Sequence, residues 1–310
     1  MTFPPMREEL RGIEPYGAPQ LDVPVQLNTN ENPYGPSPAC ADDIAAALRE
    51  AVSTLNRYPD REHVALRVAL ASYLSGDTPH GVTPEQVWAA NGSNEVMLQL
   101  LQAFGGPGRT ALSFAPTYSM YPEYARDTHT RWVTGHRAED FGLDLGAARD
   151  LVEREQPHVV LLPSPNNPTG TALEPAVVSA LCESVGEGGI VVVDEAYGEF
   201  RRSGTPSALE LLPRHRNLVV TRTMSKAFAA AGLRLGYLAA DPAIADAVRV
   251  VRLPYHLSAV TQAVALAALR HAPELLAAVD DLRAERDATV AWLREQRLTV
   301  ADSDANFCLF

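Results

Sequence analysis

One lysine, Lys226, stands among 25 arginines in this chain of 310 residues. A lysine amine attacks carbonyl carbons once it has lost its proton, and burial makes that loss easier. A guanidinium stays protonated and has no such chemistry. Lys226 lies in Thr223-Met224-Ser225-Lys226-Ala227-Phe228, just after the apolar run Leu218–Thr221. Ligands of open α/β sheets bind at strand ends. Position alone would make Lys226 a solvated surface charge. Its neighbours argue otherwise: Thr223, Ser225 and Arg234 surround it with two hydroxyls and a guanidinium, a set suited to a phosphate group.

Three more segments carry groups of the same kind. Ile190-Val-Val-Val-Asp194-Glu195-Ala196-Tyr197 is a buried-type strand that ends on an acid, with a tyrosine three residues on. A carboxylate there suits a Mg²⁺ ion, a helix cap or a protonated ring nitrogen. Ser164-Pro165-Asn166-Asn167-Pro168-Thr169-Gly170 is a turn by composition. Asn91-Gly92-Ser93-Asn94-Glu95 joins a strand to a helix, and free N–H groups at such a junction form an anion site. The chain has neither the GxxxxGK[ST] of a nucleotide loop nor a GxGxxG at a strand–helix junction.

The order of these segments is more specific than any one of them. Gly92-Ser93-Asn94-Glu95, Pro116-Thr117-Tyr118, Asn167-Pro168-Thr169-Gly170, Asp194-Glu195-Ala196-Tyr197 and Ser225-Lys226, with Arg234 eight residues later, resemble the fold-type I aminotransferases that use pyridoxal 5'-phosphate. The resemblance runs from about Leu27 to Phe310. Leu27–Gly35, Asn56-Arg57-Tyr58-Pro59-Asp60 and Ala90–Glu95 are similar to the histidinol-phosphate aminotransferases among them.

The resemblance implies roles for individual residues. Lys226 would form the Schiff base with the cofactor and then act as general base. Asp194 would pair with the pyridinium nitrogen, and Asn167 and Tyr197 would hydrogen-bond the ring's phenolic oxygen. Tyr118 would stack on the ring. Ser93, Asn94, Thr223, Ser225 and Arg234 would hold the phosphate. Tyr58 would reach the phosphate of a neighbouring subunit's cofactor, which makes the expected active unit a homodimer. Tyr16, Asn30 and Glu31 would lie in an arm over the substrate. No metal is implied.

The expected reaction is transamination between L-histidinol phosphate and 2-oxoglutarate, giving imidazole-acetol phosphate and glutamate, a step of histidine biosynthesis. The alternatives on the same fold are an aromatic-amino-acid aminotransferase, a threonine-phosphate decarboxylase, or a truncated form with weak or no activity. In this family an arginine near the C-terminus binds the substrate carboxylate, and this sequence stops short of it.

These residues need a scaffold, and the pattern of the chain supplies one. Apolar residues recur at helical spacing over Ala39–Val52 and His63–Leu74, where Gly76 is a natural stop. Strands are expected at Gln86–Ala90, Thr110–Phe114, Thr130–Thr134, Val159–Pro163, Ile190–Asp194, Leu218–Thr221 and Leu233–Ala239. Helices are expected at Glu95–Phe104, Tyr118–Arg126, Leu145–Arg154, 242–251, 258–270 and 273–296. Strands alternating with helices give an α/β fold with a mostly parallel sheet covered on both faces, as in fold type I. The expected division is an N-terminal arm, 1–38, a large cofactor-binding domain, 39–255, and a smaller α+β domain, 256–310. Leu298–Ala301 and Asn306–Phe310 read as two last strands, so the small domain is expected to be C-terminally truncated.

Composition narrows the function classes. A hydrophobic fraction of 46% and a charged fraction of 21% are those of a globular protein. A net charge of −12 argues against nucleic acid or an anionic membrane as partner. No apolar run has the ~20 residues of a membrane span, and Met1–Leu10 is polar and proline-interrupted with no apolar h-region, so no secretion signal is expected. Cys40, Cys182 and Cys308 are far apart and fit no disulfide framework. The expected compartment is the cytoplasm. The short acidic, proline-rich stretch before the first helix does not suit a regulator's DNA-binding module.

Overall fold

The computed structural model describes residues 5–310 as two units, one ending at Asn30 and one running from Glu31 to Phe310. The described part of the first unit has a single short turn of 3₁₀ helix, Glu8–Leu10, and is otherwise irregular.

In the second unit the strands are β1 (Val87–Ala90), β2 (Thr110–Ala115), β3 (Arg131–His136), β4 (Val159–Pro163), β5 (Ile190–Asp194), β6 (Leu218–Thr223) and β7 (Gly236–Ala240). They form one sheet in the order β1-β7-β6-β5-β4-β2-β3. The run β6-β5-β4-β2-β3 is parallel, while β7 pairs antiparallel with both β6 and β1.

The helices are α1 (Pro38–Val52), α2 (Val64–Ser75), α3 (Ser93–Phe104), α4 (Tyr121–Asp127), α5 (Leu145–Glu155), α6 (Pro175–Val185), α7 (Pro242–Val251), α8 (Ala259–Arg270) and α9 (Ala272–Glu295). Local chemistry sets several starts. Ser37, Asp144 and Ser258 accept a backbone N–H of the first turn of α1, α5 and α8. Asp241 does the same for α7, where Pro242 supplies a preset φ.

Successive strand residues point to opposite faces, so each central strand feeds two cores. Val160, Leu162, Val191, Val193 and Val220 pack with Leu66 and Leu70 of α2, Leu181 of α6 and Ala265 of α8. Val159, Leu161, Val192 and Val219 pack with Leu100 of α3, Tyr124 of α4 and Val248 of α7. The sheet is therefore covered on both faces, as the sequence pattern requires.

Three expectations need correction. A helix, α6, lies between β4 and β5 where none was expected. The helix expected near Tyr118–Arg126 begins only at Tyr121, with Pro122 in its first turn, where a proline is tolerated. The two terminal pieces are not strands: they share one hydrogen bond, Ala301 N–H to Leu309 O at 3.0 Å, too little for a ladder.

Candidate active site

The parallel strands end side by side, and register decides who meets whom. Asp194 lies abreast of Pro163 on one side and Thr221 on the other. The residues after these strands, and the start of α3 beyond β7, therefore converge at one edge of the sheet.

Asp194 is 6% exposed. Its Oδ2 accepts from the Tyr121 hydroxyl at 3.0 Å. Its Oδ1 accepts from Thr221 Oγ1 and from Ala196 N–H, each at 3.2 Å. Burial outweighs these donors and pushes the carboxyl up to about 6. No cation pairs with it among the described residues. A buried carboxylate with neutral donors only, at a strand end, is suited to a cationic ring nitrogen.

Lys226 is half-buried, with Nζ 5.8 Å from the centre of the Tyr197 ring. Burial lowers its amine to about 8, with Arg234 pushing the same way and Glu31 opposing. That places a useful fraction of free amine near neutral pH. Asn167 Nδ2 lies 3.4 Å from the Tyr197 hydroxyl, and Phe307 meets Tyr197 edge-on at 5.0 Å. The neighbouring Asn166 is fully buried and donates to Pro116 O and Thr169 Oγ1. It joins the Asn167 turn to the segment that carries Tyr118. Tyr118 stands edge-on to Tyr121, the partner of Asp194.

A second cluster follows β6. Ser225 Oγ accepts from Thr223 Oγ1 at 2.9 Å, and Arg234 Nη1 lies 3.4 Å from it. Arg234 is left-handed, with φ of 57°, and exposed. Its guanidinium faces Gly92: a Cβ on Gly92 would stand 2.6 Å from Arg234 Nη2, and the φ of 85° there already favours glycine. Ser93 and Asn94 open α3 with no side-chain cap, so their N–H groups are available to an anion. Gly236 closes the cup from β7, where a Cβ would fall 2.1 Å from Ser93 N.

Not every predicted residue joins these clusters. Tyr58 is 80% exposed and stacks on Tyr255, with ring centres 4.4 Å apart. Glu31 acts on Lys226 through its charge. Tyr16 and Asn30 belong to the first unit, where Tyr16 is exposed and Asn30 has a φ of 53°.

Sequence reasoning missed Tyr121, Thr221, Asn166 and Gly236. Thr221 was within reach, since it shares a strand face with Thr223 at the two-residue period.

The reverse face of the same strand ends carries a buried ion cluster. Arg222, 2% exposed, points away from Thr221 and Thr223. It donates to Glu195 Oε2 from Nε at 3.0 Å and from Nη2 at 2.7 Å, and also to Asp77. Arg201 bridges the same two acids, at 2.7 Å from Asp77 and 3.1 Å from Glu195. Glu195 also accepts from the Ser207 hydroxyl and the Ala208 N–H. Glu199, 3.6 Å from Arg222, is too far for a hydrogen bond to it, and burial pushes its carboxyl up.

Comparison with known proteins places this geometry in a family. The family model described as aminotransferase class I and II matches residues 23–310. A histidinol-phosphate aminotransferase of Thermobifida fusca is 62% identical over 306 residues, 99% of this chain and 82% of that one. One from Frankia casuarinae is 60% identical over 308 residues, 99% of this chain and 78% of that one. Among solved structures, the histidinol-phosphate aminotransferase of Sinorhizobium meliloti in complex with pyridoxal 5'-phosphate superposes with a TM-score of 0.79. It is 27% identical and covers 90% of this chain and 73% of that one.

Proposed function

The chain belongs to the class I and II aminotransferase family, and from that premise we propose that it moves an amino group between L-histidinol phosphate and 2-oxoglutarate, giving imidazole-acetol phosphate and glutamate. The observation that carries the choice of substrate is the 62% identity to a histidinol-phosphate aminotransferase over 306 residues, a stretch that includes every cofactor motif named above.

The site's own chemistry fits pyridoxal 5'-phosphate. When bound, the cofactor supplies an aldehyde carbon for the amino group and a ring that accepts electrons. The residues do the rest. The Lys226 amine, lowered toward neutrality, would hold the cofactor through its aldehyde carbon and, once the substrate amine has displaced it, would be free to carry a proton at Nζ. Asp194 accepts from the protonated ring nitrogen, and a cation there would draw its carboxyl back down from about 6. Asn167 and Tyr197 offer an amide and a hydroxyl to the ring oxygen, while Tyr118 covers the ring face. Ser93, Asn94, Thr223, Ser225 and Arg234 bind the phosphate. Glu31 is assigned to the substrate.

The exposed Tyr58–Tyr255 stack supports a homodimer in which Tyr58 reaches the partner's cofactor phosphate. No helix among the described residues is long and apolar enough to cross a membrane. The cytoplasm is proposed on the biosynthetic reaction alone.

The test is a coupled assay of glutamate formation from histidinol phosphate and 2-oxoglutarate, run beside phenylalanine and tyrosine as amino donors. Turnover of the aromatic amino acids with none of histidinol phosphate would overturn the assignment. Loss of the bound cofactor's visible absorbance in Lys226→Ala is the expected control.

A further inference from the structure

Among the described residues, strand β1 is an edge of the sheet and pairs only with β7. An edge strand leaves the backbone groups of every second residue without a ladder partner. Here three side chains take the place of a missing strand. Arg67 Nε donates to Val87 O at 2.9 Å. Ala89 N–H donates to His63 Nε2 at 3.4 Å, and Ala89 O lies 2.9 Å from His256 Nε2. A carbonyl only accepts, so His256 carries its proton on Nε2, and His63 presents a bare Nε2.

His256 has a second grip. Its own backbone carbonyl accepts from Asn91 Nδ2 at 2.8 Å. The residue thus holds the chain on both sides of Ala90, the last residue of β1 before Gly92 and Ser93. Its ring is braced in turn, stacked on Trp88 with centres 5.4 Å apart and planes 19° apart. Trp88 Nε1 donates to Gln99, Gln99 donates to Glu95, and Glu95 accepts the Asn91 N–H at 2.6 Å. The turn is therefore tied from its outer side by His256 and from within α3 by Glu95. Gly92 and Gly236 show that it has no slack toward Arg234 or β7.

We propose that His256 and Asn91 are positioning residues for the cofactor phosphate. They set the height and tilt of the Gly92–Asn94 turn so that its N–H groups meet the anion, without touching it themselves. This rests on the reading above that the turn binds the phosphate.

The experiment uses cofactor-free full-length protein. It compares dissociation constants for pyridoxal 5'-phosphate and for pyridoxal, which has the same ring and aldehyde but no phosphate. His256→Phe keeps an aromatic ring on Trp88 and removes the donor. It should weaken the phosphorylated form by about tenfold, the scale of one well-placed hydrogen bond, and leave pyridoxal within about twofold. His256→Gln, which keeps an N–H donor, should recover most of that loss. The ³¹P resonance of the bound phosphate should move in His256→Phe.

Asn91→Ala removes the second grip and should shift the same ratio, so the inference stays open to refutation if His256→Phe does not fold. Equal weakening of both ligands, or of neither, overturns it. Arg234→Ala separates the two layers of the argument. If it leaves the ratio unchanged, the phosphate reading fails and the positioning role falls with it. If it changes the ratio and His256→Phe and Asn91→Ala do not, only the positioning role is wrong.

Discussion

Replacing Arg222 with methionine tests how the strand ends beneath the site are held. Arg222 is 2% exposed and places two N–H donors on Glu195 and one on Asp77. Its removal leaves Glu195 buried, with Arg201 as its remaining cation. Deleting one partner of a buried ion pair costs roughly 3–5 kcal/mol, because the other charge is stranded. Arg201 keeps part of the compensation, so we expect the low end, about 3 kcal/mol.

The pH dependence follows from Glu195. Burial pushes its carboxyl up, but Arg201, Arg222 and the Ala208 N–H bring it net below the usual value. A carboxyl lowered in the folded state stabilises the fold above its unfolded pKa, and that contribution fades as pH falls through the folded value. In Arg222→Met the folded value rises, and the orphaned acid takes a proton more readily. The penalty should therefore be full near pH 8 and shrink toward pH 4–5. Urea unfolding followed by circular dichroism, at both pH values, measures it. A loss below about 1 kcal/mol at pH 8, the scale of a solvent-exposed pair, would refute the argument, as would a loss equal at both pH values.

Three further outcomes follow from the site. Asp194 is raised to about 6, so in the cofactor-free protein its ionisation opposes folding, and stability present at low pH is lost as pH rises through that value. Asp194→Asn should then stabilise the cofactor-free chain near pH 8 while weakening cofactor binding; paired unfolding and binding measurements check both signs. The Lys226 amine, followed in its tryptic peptide Thr223–Arg234, should react with trinitrobenzenesulfonate with a midpoint near pH 8, and a midpoint near that of a free lysine would contradict its burial. Gly236→Ala puts a Cβ on Ser93 N and should cost about 1–3 kcal/mol of stability, with a larger fractional loss of pyridoxal 5'-phosphate than of pyridoxal binding.

Much of the scaffold could be read from the chain because it is locally consistent. The buried runs Val159–Pro163 and Ile190–Asp194 are strands at the bounds expected for them. Helix α6 escaped because Ala176-Val177-Val178 is short, apolar and β-branched, a run that periodicity alone does not assign. The terminal segment misled for the opposite reason: Asn306–Phe310 has strand-like residues, but a strand needs a partner ladder that composition does not reveal.

At the site, the motif residues were legible because each is tied to a local turn or strand end. Their supports were not. Tyr121 meets Asp194 across 73 positions, and Arg222 meets Asp77 across 145. Such contacts arise from strand order and crossovers, which one sequence does not encode residue by residue. The packing of α1 on α8, fixed in part by the Asp43–Arg270 ion pair, is hidden in the same way.

The single lysine, half-buried beside Tyr197, makes this molecule its own reagent. Amine-directed chemistry meets one side chain, Lys226, besides the α-amino group, so label found on the Lys226 peptide counts open active sites. Borohydride reduction of the loaded protein would write a pyridoxyl tag onto one side chain. Trypsin, left with arginine alone, would release that tag in a single peptide with an uncut lysine. The converse is a warning for anyone tethering the protein to a surface: coupling through lysine would consume the residue on which its chemistry depends.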